Sequence, residues 1–320
     1  MRPDDAFSLS VVYSGMVDQH TSDCRDLEEN DQNRKFNVKI PQFKIQNSNL
    51  MSYPNLPKSY KRTFPFKIGT TSYIFPDHIV PNVSAIGPYV DEIELIVFES
   101  KPESLPTGKE IKMLGSLSKD LDITYNIHLP LDICLGSHDD SQRKQSVEKV
   151  IEIFNLTAPL NPTTHTLHLV YDDFEDNEED KNRWKSYLYE SLEACIAEGL
   201  AGDSISIENL SYPMAWIDEI IEAFDLYVCL DAGHLLTTNT PLSYTIDRYC
   251  GRISIYHLHG VKRGRDHHSL TNLSEADWYL LLDRLKRFQG TVSIEVFSFD
   301  RLHKSLYAFE NRWNHFNTGR

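Results

Sequence analysis

Features typical of secreted, disulfide-rich or membrane-spanning chains are missing from this 320-residue sequence. Its five cysteines are odd in number and scattered, and no two stand in C-x-x-C spacing, which argues against a disulfide framework or a cysteine-type zinc site. No stretch approaches the roughly 18 consecutive apolar residues of a membrane helix, and the N-terminus lacks the apolar run of a signal peptide. We therefore expect a protein of the reducing cytoplasm with no membrane partner.

Positive charge is also scarce. The chain has 32 Lys and Arg residues against 47 Asp and Glu residues, and its formal net charge is −15 at pH 7. Such a field repels a phosphate backbone unless a local basic groove overcomes it, and the sequence has no such groove, so we expect no nucleic-acid partner. The longest basic stretch, residues 261–266 (VKRGRD), is predicted to be a solvated loop or, alternatively, to bind an anionic group of a substrate.

Composition indicates a globular chain with an atypical start. Apolar residues make up 40% of the sequence and charged residues 25%, as in average soluble proteins, so a sizeable core can form. Residues 1–63 are rich in Asp, Asn, Gln, Lys and Ser, which bury too little apolar surface to offset the entropy of ordering. We predict an irregular N-terminal extension over residues 1–63 and a catalytic domain over residues 64–320.

From Phe66 onward, short β-rich apolar runs alternate with stretches of helical periodicity, which is the pattern of repeated β–α units. The helical stretches are exemplified by Val147, Val150 and Phe154 on one face, and Ser274 is placed to cap another helix. The predicted strands are Phe66–Thr70, Glu92–Phe98, Ile123–Leu129, His165–Val170, Ser204–Glu208, Leu226–Asp231, Ile253–Leu258 and Val292–Phe297. The predicted helices include Ser141–Asn155, Arg183–Glu198, Trp216–Phe224 and Ala276–Phe288. Eight such strands with helical crossovers predict an α/β fold of the (β/α)8 TIM-barrel type, with an open doubly wound sheet as the alternative.

Ionisable side chains fall at the ends of six successive predicted strands, where barrel enzymes build their active sites. A carboxylate such as Glu208 or Glu295 inside an apolar β run is costly unless it is paired, hydrogen-bonded or bound to metal. A single histidine on a strand is more often a core residue than a ligand, but repetition over six strands weakens that interpretation. Imidazole and carboxylate donors without thiolate favour divalent ions such as zinc or manganese, and there are enough of them for more than one ion. The predicted metal ligands are His128, His168, Glu208, Asp231, His234, His257, His267 and Glu295.

Catalytic roles are predicted for Glu208, Glu295, His259 and Asp266. The two glutamates either anchor ions for phosphoester hydrolysis or act as acid and base across one ion in an isomerase. His257 and His259 share a strand face because the side-chain period of a strand is two. We predict that His257 binds metal and that His259 supports a ligand or contacts substrate, whereas Asp266 is open between these two roles.

Other polar side chains near the strands have structural as well as functional interpretations. His165 begins its predicted strand and is therefore expected at the far end of the barrel, in a structural role. Asn209 is expected to point outward by strand alternation. Glu94 and Glu99 project to opposite faces of the second strand, and Glu99, at the strand end, is the better site candidate, although a salt bridge explains it equally well.

The strand-end set resembles the apurinic-endonuclease/xylose-isomerase-like superfamily of TIM barrels over about residues 66–312. Several segments are more narrowly similar to the cobamide-remodelling phosphodiesterases within it. These segments are KIGTTSYI (67–74), IELIVFES (93–100), HLPLD (128–132), ENLSYP (208–213), LDAGHLL (230–236), HLHGV (257–261) and EVFS (295–298). In the loop of the seventh strand, Arg265 stands where the DNA-repair members carry Asp, and Asp266 lies beside His267.

The resemblance implies metal-dependent hydrolysis of a phosphoester in the nucleotide loop of a B12-type cobamide, with release of cobinamide phosphate. A large corrin ring implies a wide barrel mouth rimmed by aromatic side chains such as Tyr73, Tyr212, Trp216 and Tyr256. Two alternatives are a sugar or sugar-phosphate isomerase or epimerase and a non-catalytic barrel that binds cobamide or metal.

Overall fold

The computed structural model describes residues 53–172 and 174–318, and at its centre eight parallel strands close into a barrel. The barrel strands are β1 (Lys67–Thr71), β2 (Glu92–Ile96), β3 (Thr124–His128), β4 (His165–Leu167), β5 (Ile205–Glu208), β6 (Tyr227–Asp231), β7 (Ile253–Leu258) and β10 (Thr291–Ile294). Their order around the barrel is β1-β10-β7-β6-β5-β4-β3-β2. After β7, the short strands β8 (Gly260–Lys262) and β9 (Arg265–His268) form an antiparallel hairpin. The predicted (β/α)8 barrel is confirmed, and each predicted strand overlaps an observed one.

Helices follow the barrel strands. Those of the described residues are α1 (Ile79–Ile86), α2 (Gly108–Leu121), α3 (Asp140–Thr157), α4 (Glu178–Ala197), α5 (Asp218–Ala223), α6 (Ala232–Thr237), α7 (Leu242–Tyr249), α8 (Glu275–Leu285) and α9 (Phe299–Thr318). The four predicted helices correspond to α3, α4, α5 and α8, although α5 is shorter than predicted because a 3₁₀ turn, Met214–Ile217, precedes it. Ser274 caps α8 as predicted, because its hydroxyl accepts a hydrogen bond from the Asp277 backbone N–H.

The apolar core lies between the barrel and the surrounding helices. On α9, which the sequence analysis does not identify, the buried residues Leu302, Leu306, Phe309 and Trp313 repeat at helical spacing and form one apolar face. This face packs against Phe66 at the start of β1. The helix therefore covers the seam at which the first and last barrel strands pair.

The interior of the barrel is polar, unlike the layers of branched apolar residues that fill most TIM barrels. Glu92, Glu94 and Asn126 are completely buried there, and Asn126 donates a hydrogen bond to Glu92 at 3.0 Å. Alternation then places His128 and Glu208 on the same inner surface at the strand ends, where they contact each other. The polar inner surface of the barrel therefore continues up to the carboxyl-terminal ends of the strands.

The chain that leads into β1 packs on the barrel without regular secondary structure. Residues 53–63 form no helix or strand, yet Leu56 and Tyr60 are buried in the core. Residues 1–52, which make up most of the predicted N-terminal extension, lie outside the described residues. Within the described part of the chain, no helix is both long and apolar enough to cross a membrane.

Candidate metal centre

Glu208, at the end of β5, lies at the centre of a buried cluster of histidines. Its Oε2 atom is 3.3 Å from His128 Nε2 and 3.0 Å from His168 Nε2. Its Oε1 atom is 3.1 Å from His234 Nδ1. These imidazoles come from β3, from the residue after β4 and from α6, so the barrel brings together side chains that are far apart in sequence.

A second group of donors shares Glu208. His257 Nδ1 lies 3.4 Å from Glu295 Oε2, 3.5 Å from Glu208 Oε2 and 4.0 Å from Asp231 Oδ2. One ligand atom from each of these four residues lies within 4.8 Å of the others. His257 Nδ1 and Glu295 Oε2 are buried and make no hydrogen bond. One imidazole and three carboxylates, with unsatisfied atoms on His257 and Glu295, fit a divalent cation.

A third group contains His234, His259 and His267, whose ring nitrogens also lie within 4.8 Å of one another. The backbone N–H of His267 donates to His259 Nδ1 at 2.9 Å, so the ring hydrogen of neutral His259 is on Nε2, 3.0 Å from Asp231 Oδ2. An imidazole in this state has no free lone pair for an ion. The Nε2–H group of His259 therefore points at Asp231. This contact corresponds to the predicted role in which His259 supports a ligand.

Asp266 also lies close to this group. Its Oδ2 atom lies 3.9 Å from His234 Nε2, and its Oδ1 atom lies 3.9 Å from His267 Nε2. His267 has a φ of 50°, a left-handed conformation that is uncommon for residues other than glycine. Backbone strain of this kind is found where the surrounding structure holds a residue in place for function.

Backbone contacts hold Asp231 in position. The Asn209 amide donates to the Asp231 carbonyl at 3.0 Å, and the Asp231 N–H donates to Asn209 Oδ1 at 2.8 Å. The His234 N–H donates to Asp231 Oδ1 at 2.6 Å, which caps α6. Asn209 thus braces the ends of β5 and β6, in line with its predicted structural role.

Opposing effects set the charge of the cluster before any ion binds. Burial alone raises the pKa of Glu208 and of Asp231, but neighbouring histidines outweigh it and hold both values below the usual range. Burial lowers the pKa of His234, but Asp231 and Glu208 outweigh it and raise the value to about 10. For Glu295, burial dominates and raises the pKa despite His257. Glu208 and Asp231 are therefore ionised at neutral pH, as metal binding requires.

Glu94 belongs to the cluster, whereas Glu99 does not. Glu94 is completely buried on β2, and its Oε1 atom lies 2.9 Å from His257 Nε2. Glu99 instead pairs with Lys101 at 3.1 Å near the surface. Glu99 is the better candidate by its place near the strand end, but inward orientation is the better signal, and it belongs to Glu94. Cys229 also comes close to Glu208 and His257, and burial raises the pKa of its thiol well above the usual value.

His165 lies outside the cluster, on the outer surface of the barrel. Its ring stacks on Phe154 of α3 at a centroid distance of 3.6 Å, and its Nε2 atom is 3.1 Å from Thr157 Oγ1. Burial lowers the pKa of His165 to about 4. This geometry is that of a structural histidine, as predicted, although it faces a helix rather than the far end of the barrel.

Aromatic side chains that are predicted to bind substrate stand in the loops after the strands. Tyr73, after β1, is half-buried and packs on Phe98 at 4.7 Å. Tyr212 and Trp216, after β5, are half-buried and stack on each other at 5.7 Å. Tyr256 is not at the mouth, because it alternates with His257 and packs outward at 4.9 Å from Phe288. The expectation for Tyr256 is therefore wrong.

Comparison with known proteins identifies the family. Residues 81–313 match the family model described as Xylose isomerase-like TIM barrel, so this chain belongs to that family. No curated protein matches the sequence.

Solved structures with the same fold share little sequence with this chain. A D-tagatose 3-epimerase-like protein has a TM-score of 0.66 and 18% identity, and the match covers 79% of this chain and 99% of that one. An L-ribulose 3-epimerase has a TM-score of 0.61 and 16% identity, and the match covers 79% of this chain and 96% of that one. Endonuclease IV from Thermus thermophilus has a TM-score of 0.58 and 17% identity, and the match covers 78% of this chain and 99% of that one. At these identities the likeness establishes the fold alone.

Proposed function

We propose that this protein is a phosphoester hydrolase that depends on two or more divalent ions. The observation that carries the proposal is the position of Glu208, which is shared between the His128–His168 pair and the group of Asp231 and His257. A carboxylate common to two donor groups is suited to bridge ions a few ångströms apart. Divalent ions held by these residues would activate water near neutral pH and neutralise the charge of a phosphoryl group.

The chain's own residues have separate tasks in this proposal. His128 and His168 would hold one ion with Glu208, and Asp231, His257 and Glu295 would hold a second with the same carboxylate. His259 keeps Asp231 in one orientation through the 3.0 Å contact with Nε2. Asp266, on the hairpin, is less enclosed than the strand carboxylates, and burial raises its pKa above the usual value. It is therefore suited to exchange a proton with a substrate or leaving group.

A sugar isomerase or epimerase is the second candidate. The group of Glu208, Asp231, His257 and Glu295 is sufficient for one ion, and the similar structures include sugar epimerases. An acid–base pair across one ion, however, needs carboxylate oxygens that face the substrate. Both oxygens of Glu208 lie within 3.5 Å of histidine nitrogens, which favours a role as metal bridge over a role as a base.

We propose a cobamide as the substrate, cut in its nucleotide loop. The support is the similarity of the strand-end segments to the cobamide-remodelling phosphodiesterases, together with the half-buried aromatic residues Tyr73, Tyr212 and Trp216 after β1 and β5. Aromatic faces of this kind offer apolar contact area to a large, partly apolar ring.

The test combines metal content with product analysis. Purified protein is loaded with zinc or manganese, its ions per chain are counted, and it is incubated separately with a complete cobamide and with a ketose sugar. We expect more than one ion per chain and products with the mass of a cobinamide phosphate. The variant Glu208→Gln should lose both, whereas Glu99→Gln, which alters a carboxylate outside the cluster, should retain both.

Three outcomes contradict the proposal. One ion per chain together with a converted sugar supports the epimerase candidate. Several bound ions without turnover of either substrate indicate a non-catalytic binding barrel. Hydrolysis that persists in Glu208→Gln removes the bridging carboxylate from the mechanism.

A further inference from the structure

Glu94 is a buried carboxylate that reaches across the barrel to a candidate metal ligand. It lies in the middle of β2, has no exposed surface, and its Oε1 atom is 2.9 Å from His257 Nε2 on β7. Strands β2 and β7 are three positions apart around the barrel. The Ser293 hydroxyl, on the intervening strand β10, donates to Glu94 Oε2 at 3.0 Å.

The register of β1 leaves room for this contact. Gly69 pairs with Ser293 on one side and with Glu92 on the other, so β1 contributes no side chain between them. A Cβ atom at Gly69 would lie 2.9 Å from the Glu92 carbonyl oxygen, which is closer than real contacts allow. Glu94 can therefore pass over β1 and meet the side chains of β10 and β7.

Glu94 Oε1 and His257 Nε2 lie 2.9 Å apart in the interior of the described barrel. Both atoms are buried, and among the described residues neither makes a hydrogen bond of regular geometry. The contact between these two atoms therefore supplies the polar partner that each of them needs. An N–H on Nε2, held by this carboxylate, places the free lone pair of the imidazole on Nδ1, the atom that faces Glu208, Asp231 and Glu295.

We propose that Glu94 is a positioning residue, which fixes the tautomer and orientation of His257 and thereby sets the affinity of the ion held with Glu208, Asp231 and Glu295. The inference rests on the metal centre of the proposed function. It adds Glu94, which supplies no ligand atom to the ion but raises the basicity of His257, which does. Carboxylates that hold metal-binding histidines have this effect, and their loss typically weakens metal binding roughly 10- to 100-fold.

Glu92 provides a matched control on the same strand. It is two residues away, faces the same interior and is also completely buried. Unlike Glu94, it is satisfied by structural neighbours, because it accepts hydrogen bonds from Thr124 at 2.6 Å and from Asn126 and Thr163 at 3.0 Å. None of these three partners is a candidate metal ligand.

The experiment is a calorimetric titration of zinc into metal-free wild-type protein and into the variants Glu94→Ala, Glu94→Gln and Glu92→Gln. We expect Glu94→Ala to weaken one class of site roughly 10- to 100-fold and to leave the other sites unchanged. Glu94→Gln, whose amide oxygen can still accept from His257, should recover part of that affinity, and Glu92→Gln should bind as the wild type does. The absorption spectrum of the cobalt-loaded protein should change in the Glu94 variants alone.

The outcomes separate this inference from the proposed function. Wild-type affinity and an unchanged cobalt spectrum in both Glu94 variants overturn the positioning role while leaving the metal centre intact. Equal losses in Glu92→Gln and Glu94→Gln also overturn it, because they indicate a general effect on the barrel interior. If the wild-type protein itself binds no metal, the result contradicts the proposed function and, with it, the inference about Glu94. The isosteric Gln variants keep the comparison decisive if Glu94→Ala does not fold.

Discussion

His165, which begins β4, and His168, which directly follows β4, demonstrate how position along a strand decides the role of a residue. His165 and His168 are three residues apart and therefore project to opposite surfaces of the barrel. His168 meets Glu208 at 3.0 Å, whereas His165 is enclosed between the barrel and α3. The same imidazole group is thus a candidate ligand at one position and a neutral core side chain at the other.

Replacement of His165 by Gln should change how stability depends on pH. Burial lowers the pKa of His165 from 6.5 to about 4, so between these values the unfolded chain binds a proton that the folded protein does not. The free energy of unfolding should therefore fall as the pH is lowered from about 6.5 to about 4, by about 3 kcal/mol in full. Urea unfolding of both proteins over this range tests the effect. A constant difference between wild type and His165→Gln at every pH contradicts it.

The hairpin of β8 and β9 carries His267 of the third candidate donor group and Asp266 beside it. Its turn, Arg263 and Gly264, has positive φ angles of 55° and 72°, as a two-residue hairpin requires. Lys262 and Arg265 are directly paired across the hairpin, an arrangement of like charges that is destabilising. Arg301 of α9 donates to the His267 carbonyl at 3.0 Å and anchors the hairpin to the barrel.

Exposed cations next to the candidate metal centre of an acidic protein favour the second of the two interpretations of residues 261–266, recognition of an anionic substrate group. The double variant Lys262→Gln/Arg265→Gln should raise the KM of a phosphate-bearing substrate, leave kcat nearly unchanged and increase the free energy of unfolding by up to about 1 kcal/mol. Steady-state kinetics at low and high salt measure this, with Lys109→Gln/Lys112→Gln on α2 as the control. Equal KM values for the two double variants would favour the solvated loop.

At the scale of the whole molecule, the barrel concentrates negative charge at one end. The chain carries a formal net charge of −15, and the carboxylates of Glu208, Asp231 and Glu295 come together in one buried group. Carboxylates in such proximity repel one another unless cations compensate them. Metal binding is therefore expected to stabilise the fold as well as to support chemistry.

Removal of metal should lower the melting temperature of the protein. An ion present at 100 times its dissociation constant stabilises the folded state by about 2.7 kcal/mol per site, which corresponds to several degrees in a protein of this size. Differential scanning calorimetry before and after treatment with a chelator measures the change, and readdition of zinc or manganese should reverse it. The melting temperature of Glu208→Gln should respond much less. A wild-type protein that is indifferent to the chelator would exclude a tightly held ion.

The sequence by itself determined the order of the barrel strands and the identity of most cluster residues. Both depend on local patterns, since apolar runs and helical periodicity define the β–α units, and the end of each parallel strand lies at the same end of the barrel. Repetition of His, Asp and Glu at those ends was therefore visible before any contact was known. The place of His165 at the start of its strand also indicated a structural role, although the side chain faces α3 and not the far end of the barrel.

Only the tertiary structure decided which of these side chains meet and in what roles. The contact between Glu94 and His257 spans three strand positions and depends on the register of the closed barrel, which no local pattern encodes. The hydrogen bond from the His267 backbone N–H to His259 Nδ1, which directs His259 Nε2 towards Asp231, involves a residue in the left-handed conformation. Local periodicity specifies the faces of each element, whereas closure and register specify which faces come into contact.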